Sequence, residues 1–394
     1  MHILHVIGSL SPADGGPPEA VRQLAEIYAE CRDPLEILCQ DPPDAPWLKD
    51  FPCPVHALGQ RWLGRYGLSP RLWRWLHHNA SRFDGIVMNG LWIFPDIAVH
   101  SAARRARVPY LVFAHGALSP WFEQFRLKHI KKTIYWPLQY AVLRDARSVL
   151  FTSAIERDQA THSFRPHRWN ANVIPYGINE PKADPAGQIQ AFYAQMPMLR
   201  DRRFLLFLSR LHVVKACDLI IDAFARVAGE FPDVDLVMAG PDQVGWKAAL
   251  QQQCTQAGIA HRVHWPGMFA GDVKWGALRA ADALLLPSHT ENFGVVIVES
   301  LAAGRPVLIS NKVNISPDIG ACGAGLVDDD TSDGIERLLR RWLELPAAER
   351  DAMAARASAC FRERYSMKRA VATIKELVTG SVAESNTESV ALNL

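Results

Sequence analysis

The sequence predicts an α/β protein built from two doubly wound domains, each a parallel sheet with helices on both faces. Three observations predict this. Short apolar runs alternate with amphipathic stretches along most of the chain, the β-α-β rhythm of parallel sheets. The rhythm pauses once, around 177–200, where Gly177, Pro181, Pro185, Gly187 and Pro197 fall among polar residues. The chain has 394 residues, 49% of them hydrophobic, too many for one ordinary domain of about 100–200 residues.

Residues 2–8 read as the first strand, 17–31 as a helix and 34–39 as a second strand. The N-terminus lacks a basic region, and its apolar run is broken by His2 and His5, so it reads as a strand rather than a signal peptide. Further strands are predicted at 85–89, 109–114 and 147–152, with helical stretches between them. The first domain is expected over 1–178 and a linker over 179–200. The second domain, 201–365, opens with the buried run Phe204-Leu205-Leu206-Phe207-Leu208. Strands follow at 234–239, 262–265, 282–286 and 306–309, each trailed by a helical stretch. Residues 380–394, rich in Ser, Glu and Asn without periodicity, are expected to be a disordered tail. Ligands in such sheets bind beyond the carboxyl ends of the strands, so two rims are expected to face each other across a cleft.

Composition excludes several function classes. With 21% charged residues the chain is a globular protein, not a disordered or collagen-like one. A net charge of +2 advertises no nucleic acid. The seven cysteines form no C-x-x-C pair, which reads as reduced thiols in the cytoplasm. No apolar stretch reaches the length of about 18 residues that reads as a membrane span. No G-x-G-x-x-G or G-x-x-x-x-G-K-[ST] pattern occurs, so neither a nicotinamide enzyme nor a P-loop ATPase is indicated. No His, Cys and carboxylate cluster has metal-ligand spacing, so no metal is expected. Asp233-Val234-Asp235 looks like a metal-binding pair but falls at the amino end of a strand. Asp328-Asp329-Asp330 reads as loop and cap chemistry before a helix.

Four constellations carry chemistry. In Asp282-Ala283-Leu284-Leu285-Leu286-Pro287 a strand ends, and a helix is expected from about Phe293. The amides of Phe293, Gly294 and Val295 would form its N-terminus, which suits a diphosphate. Glu291 precedes the helix, where it can accept sugar hydroxyls, and Glu299 lies about two turns inside. The capped-helix reading, with Glu291 as an N-terminal charge and Glu299 solvated, carries comparable weight on spacing alone. Arg210 and Lys215 follow the first strand of the second domain and are expected on an exposed rim, where two cations can clamp a diphosphate. The loop after the first strand carries Gly15 and Gly16, with room for a tight turn and open amides. His115 stands at the carboxyl end of a buried strand, beside Gly116.

Together these residues resemble glycosyltransferase family 4, the retaining enzymes of the GT-B fold. Val263-His264-Trp265-Pro266-Gly267-Met268 and Ala302-Ala303-Gly304-Arg305-Pro306-Val307 also match in place and order. Ser288-His289-Thr290-Glu291-Asn292-Phe293-Gly294 looks like the bacterial exopolysaccharide and O-antigen branch, although Asn292 stands where many members carry a smaller residue. The resemblance implies a nucleotide-sugar donor as co-substrate and no separate cofactor. Backbone near Met268 would contact the base and Glu299 the ribose. Arg210, Lys215 and the amides of Gly294 and Val295 would hold the diphosphate. Glu291 and His115 would reach the donor sugar, and Gly15 and Gly16 the phosphate or acceptor. A C-terminal helix at 366–379 would cross back onto the first domain.

Two other readings compete with this one. A sugar-nucleotide epimerase of related fold should carry paired carboxylates and histidines, which the sequence lacks beyond His115. A non-catalytic sugar-nucleotide scaffold should have lost the Arg210 and Lys215 pair, or one of Glu291 and Glu299; all are present. Between Arg61 and Arg147, 14 Lys and Arg stand against 4 Asp and Glu, interleaved with Trp62, Tyr66, Trp73, Trp75, Trp121, Phe122, Phe125, Tyr135 and Trp136. The segment 125–136 reads as a basic amphipathic helix, so docking on an anionic membrane surface is expected, against the alternative of a solvated charged face.

Overall fold

The computed structural model describes residues 1–380 apart from 15, 60, 119–134, 164–167, 176 and 181–183. It divides into two units: Met1–Gly177 with the chain from Met367 onward, and Ile178–Ser366.

The first unit holds a seven-stranded parallel sheet. Its strands are β1 (Ile3–Ile7), β2 (Leu35–Cys39), β3 (Val55–Ala57), β4 (Gly85–Asn89), β5 (Tyr110–Phe113), β6 (Ser148–Phe151) and β7 (Ala171–Val173), in the order β3-β2-β1-β4-β5-β6-β7. Strands β1, β2, β4, β5 and β6 are buried along their whole length, because helices cover both faces; that is why they read as unbroken apolar runs. These helices include α1 (Gly16–Glu30), α2 (Pro70–Asn79), α3 (Phe94–Ala106), α4 (Trp136–Asp145) and α5 (Ala154–Ser163). Chain order reverses between β1 and β4, which parts the loops at that rim.

The second unit holds six parallel strands: β8 (Arg203–Leu208), β9 (Val234–Ala239), β10 (Val263–Gly267), β11 (Ala283–Leu286), β12 (Val307–Ser310) and β13 (Gly325–Asp328). Their order is β10-β9-β8-β11-β12-β13, so the switch point lies between β8 and β11. The helices are α6 (Pro185–Gln195), α7 (Cys217–Val227), α8 (Lys247–Gln256), α9 (Gly271–Ala280), α10 (Val295–Ala302), α11 (Ser316–Cys322), α12 (Ser332–Leu343) and α13 (Ala347–Cys360). The chain then returns to the first unit through α14 (Met367–Thr379). Met367, Val371, Ile374 and Val378 of α14 share a core with Ile3, Tyr28 and Ile37. Each unit is Rossmann-like, and together they are the two domains of a GT-B fold.

Two expectations require correction. The stretch 179–200 is not a linker, since Pro185–Gln195 forms α6 within the second unit. Asp184 caps it by accepting from Ala186 N (3.1 Å) and Gly187 N (3.0 Å), and Pro185 occupies the first turn, where its missing N–H costs nothing. Phe192 is fully buried and stacks on Phe204 at 5.4 Å. The proline and glycine read as loop signals are helix-start signals here. The helix after β11 begins at Val295 rather than near Phe293, so Glu299 is one turn inside and not two.

Candidate active site

The second unit's site is assembled at the switch point between β8 and β11. Arg210 and Lys215 sit on the connection leaving β8. Its approach to the neighbouring connection depends on Gly240, whose φ is +151° and whose added Cβ would fall 1.7 Å from Ser209 O. Leu211 N donates to Pro241 O at 3.0 Å across the same gap. Arg210 is exposed, as expected, and its guanidinium reaches Gln243 Oε1 at 3.4 Å.

Lys215 differs from expectation. It is 8% exposed rather than on an open rim, and its Nζ donates to Glu291 Oε2. A single-turn helix over Val213–Lys215 sets this geometry: His212 Nδ1 accepts from Val214 N at 3.2 Å, and Lys215 N donates to His212 O at 2.8 Å. His289 N then donates to Val214 O at 2.9 Å, tying the β8 connection to the β11 connection. A buried ammonium requires such a partner, because an unpaired charge out of water is costly.

Glu291 is held by backbone on both sides. Its N–H donates to Lys312 O at 3.3 Å and its carbonyl accepts from Asn314 N at 2.9 Å. Asn314 Nδ2 donates to Asn292 Oδ1 at 3.1 Å, so Asn292 is fixed from the connection after β12. Phe293 is buried against Tyr365, with ring centroids 6.0 Å apart. Gly294 caps α10 with φ +74°, and an added Cβ would meet Ile297 Cδ1 at 2.7 Å and Glu291 Cγ at 3.1 Å. Val295 opens α10, where the first amides lack intrahelical acceptors and the helix end carries partial positive charge. Glu299 pairs with Lys274 of α9, Nζ to Oε1 at 2.6 Å. Met268, just past β10, is 68% exposed. The arrangement places three cations (Arg210, Lys215 and Lys274), two carboxylates (Glu291 and Glu299) and a helix N-terminus on the connections of this sheet. It can take an anion at the amides and cations, and hydroxyls at the carboxylates.

In the first unit, His115 and Gly116 form a turn after β5 in which both residues have positive φ, +48° and +76°. The His115 ring stacks on Phe113 at 4.9 Å. Burial, and secondarily the His5 imidazole, pushes His115 down to about 3, so the ring is neutral at physiological pH. Gly16 is the first residue of α1, and an added Cβ would meet nothing within 4 Å. Gly15 lies outside the described residues, as do residues 125–134 of the expected amphipathic segment and the tail 381–394.

Lys274 and Glu156 were missed by sequence reasoning. Lys274 lies on an ordinary amphipathic helix, and nothing local marks it. Glu156 belongs to Ser153-Ala154-Ile155-Glu156, a visible capping-box pattern. The discounted pair also resolves: Asp235 is buried among Arg202, Arg262 and His264 at 2.6–2.9 Å, an internal anchor at the amino end of the sheet. Of the three aspartates at 328–330, Asp328 bonds Arg337 and Asp330 takes His289 Nδ1 at 2.8 Å, while the cap of α12 is Thr331.

Residues 15–177 match the family model "Glycosyl transferase 4-like domain", and residues 193–359 match "Glycosyl transferases group 1". The D-inositol 3-phosphate glycosyltransferase of Streptomyces avermitilis is 28% identical over 230 residues, 56% of this chain and 50% of that protein. The glycogen synthase of Mycobacterium tuberculosis is 30% identical over 222 residues, 55% of this chain and 50% of that protein. The aligned region thus spans about half the length of these curated relatives. Among solved structures, Anabaena HepE in complex with UDP superposes with TM-score 0.75 at 22% identity, covering 96% of this chain and all of that one. WaaG, a glycosyltransferase involved in lipopolysaccharide biosynthesis, gives 0.63 at 16% identity over 96% and 100%. At these identities the two structures speak for the fold alone.

Proposed function

This chain belongs to the GT4-type glycosyltransferases, and from that premise we propose that it moves a sugar, with retention, from a nucleotide-sugar donor to a saccharide or lipid-linked saccharide acceptor. The observation that carries this reading is the contact between Lys215 and Glu291 at the switch point of the second sheet. Departure of a nucleoside diphosphate builds negative charge on its oxygens. Lys215, held by Glu291, Arg210 and the first amides of α10 meet that charge, which lowers the barrier more than it tightens ground-state binding. Glu291, steadied by Lys215, is free on its other oxygen lone pairs to accept hydroxyls of the donor sugar. Glu299 and Lys274 address the ribose, backbone near Met268 the base, and Gly16 with Gly15 the phosphate or acceptor. His115 meets the sugar as a neutral imidazole. The leaving phosphate takes the acceptor proton, and neither metal nor separate cofactor takes part. Surface-polysaccharide synthesis is the setting we favour. The Ser288–Gly294 motif supports it. The enzyme works in the cytoplasm and docks on an anionic membrane surface.

The test is a transfer assay over a panel of nucleotide sugars. Arg210→Ala and Lys215→Ala should each lower turnover ~100-fold or more. Melting temperatures must accompany the Lys215 variant, since it uncovers a carboxylate. Glu291→Ala should cripple transfer while sparing affinity for the free nucleoside diphosphate. Activity should persist in excess EDTA. Near wild-type transfer by both cation variants overturns the reading; loss in EDTA restored by magnesium or manganese overturns its metal independence.

A further inference from the structure

Glu156 is 1% exposed and lies in the first turn of α5. Its sequence context, Ser-x-x-Glu, is that of a capping box, in which the glutamate reaches back to the N–H of the capping serine. Half of that box is present: Glu156 N donates to Ser153 Oγ at 3.0 Å. The carboxylate does something else. Its Oε2 accepts from Thr152 N at 2.7 Å and from Thr152 Oγ1 at 2.5 Å. Its Oε1 crosses to the neighbouring strand connection and accepts from Gly116 N at 2.6 Å. That N–H belongs to the second of two consecutive left-handed residues, His115 and Gly116. A left-handed conformation costs roughly 1–2 kcal/mol for a residue bearing a Cβ, and it persists where surrounding bonds over-determine it. A short bond from a buried carboxylate to the turn's own amide supplies such a restraint. The acceptor must be a carboxylate because three donors converge on it, and an amide would oppose at least one of them with its NH₂.

We propose that Glu156 is a positioning residue for His115, fixing the turn that aims the imidazole. This rests on the reading of His115 as the first unit's sugar-side residue. Turnover, and not donor affinity, should depend on Glu156, because the donor's diphosphate and base are assigned to the second unit.

The experiment compares Glu156→Gln, Ser153→Ala, His115→Ala and the Glu156→Gln/His115→Ala double variant. Ser153→Ala removes the ordinary helix cap without touching the His115 turn, and so reports what loss of α5 stability alone does. Glu156→Gln should lower kcat ~10- to 100-fold with donor KM within about threefold, as expected for a small misplacement of a reacting group. In the His115→Ala background the same substitution should add less than about twofold. Ser153→Ala should lower the melting temperature and leave kcat near wild type. A second readout needs no turnover. Among the ring signals of the 14 histidines, the one lost in His115→Ala should shift in Glu156→Gln and hold still in Ser153→Ala. Additive kinetic losses, or an unmoved His115 ring signal, would overturn the proposal. If the wild type turns over no nucleotide sugar, the functional reading fails, while the ring signal still decides whether Glu156 sets His115.

Discussion

His5 and His115 show what burial does to single residues in this fold. His5 is 1% exposed on β1, and burial alone brings its imidazole to about 3. Its Nδ1 lies 3.3 Å from Asn89 Nδ2. The folded pKa is below the ordinary 6.5, so the unfolded chain binds more protons between about pH 3 and 6.5. Stability due to the neutral ring is therefore present above pH 6.5 and is lost as pH falls through that window. From pH 7 to pH 5 the loss should be about 2 kcal/mol for His5. Asp96 acts with the opposite sign: burial raises its carboxyl to about 7, favouring the fold at low pH. Denaturant unfolding of wild type and His5→Phe at pH 7 and pH 5 isolates the histidine. The variant should lose about 2 kcal/mol less over that interval, and parallel pH dependences would refute the assignment. None of this was readable in the sequence, where His5 only interrupts an apolar run. Lys215 and Glu291 were readable as types at the right spacing. Their contact was not, because it needs β8 beside β11, a fact of sheet order rather than of either motif.

At the scale of elements, the start of α10 shows how far local rules reach. A strand, a glycine and an apolar helix are legible, but the helix begins at Val295, two residues later than expected. Tyr365 claims the Phe293 ring, and the left-handed Gly294 then turns the chain into the helix. The short strands β3, β7 and β13 were not legible: they lie at or near the sheet edges and are mostly half-buried, so they lack the apolar runs of the centre. Linker and helix were confused at α6 because Asp184 and Pro185 serve both. Gly294 and Gly16 now make opposite forecasts. Gly294→Ala meets a left-handed backbone, Ile297 and the Glu291 side chain. It should cost about 1–2 kcal/mol, roughly 2–8 °C in melting temperature, and reduce turnover by displacing Glu291. Gly16→Ala meets open space and should leave the melting temperature within about 1 °C of wild type. Any effect of Gly16→Ala should therefore appear in kinetics alone. Scanning calorimetry beside the transfer assay checks both, and a Gly294→Ala protein as stable and active as wild type would refute the role given to this turn.

At the scale of the whole molecule, the alternation of strands and helices was legible because both sheets are parallel and covered on two faces, which forces unbroken apolar runs. The charge distribution is the other whole-chain property, and it bears on where the protein works. Among the described residues, no helix is long and apolar enough to cross a membrane. The net charge is +2, yet residues 61–147 hold 14 Lys and Arg against 4 Asp and Glu. Part of this excess is already engaged: Arg82 pairs with Glu36, and Arg104 and Arg144 share Asp145. Part of the aromatic content is core, since Trp136 is 5% exposed. Other aromatics face water, with Trp62 at 54%, Trp73 at 36% and Tyr135 at 38%. Exposed Trp and Tyr beside basic residues suit a headgroup layer, where each cation near an anionic surface adds about 1 kcal/mol. Co-sedimentation with anionic vesicles should be strong at low salt and fall as salt screens the contact, while neutral vesicles should retain little protein. Changing Lys128, Lys131 and Lys132 together to glutamate reverses the charge of the central basic cluster and should abolish binding. Binding indifferent to lipid charge, or undiminished in that triple variant, would leave the basic excess as a solvated face and remove the membrane from the proposed function.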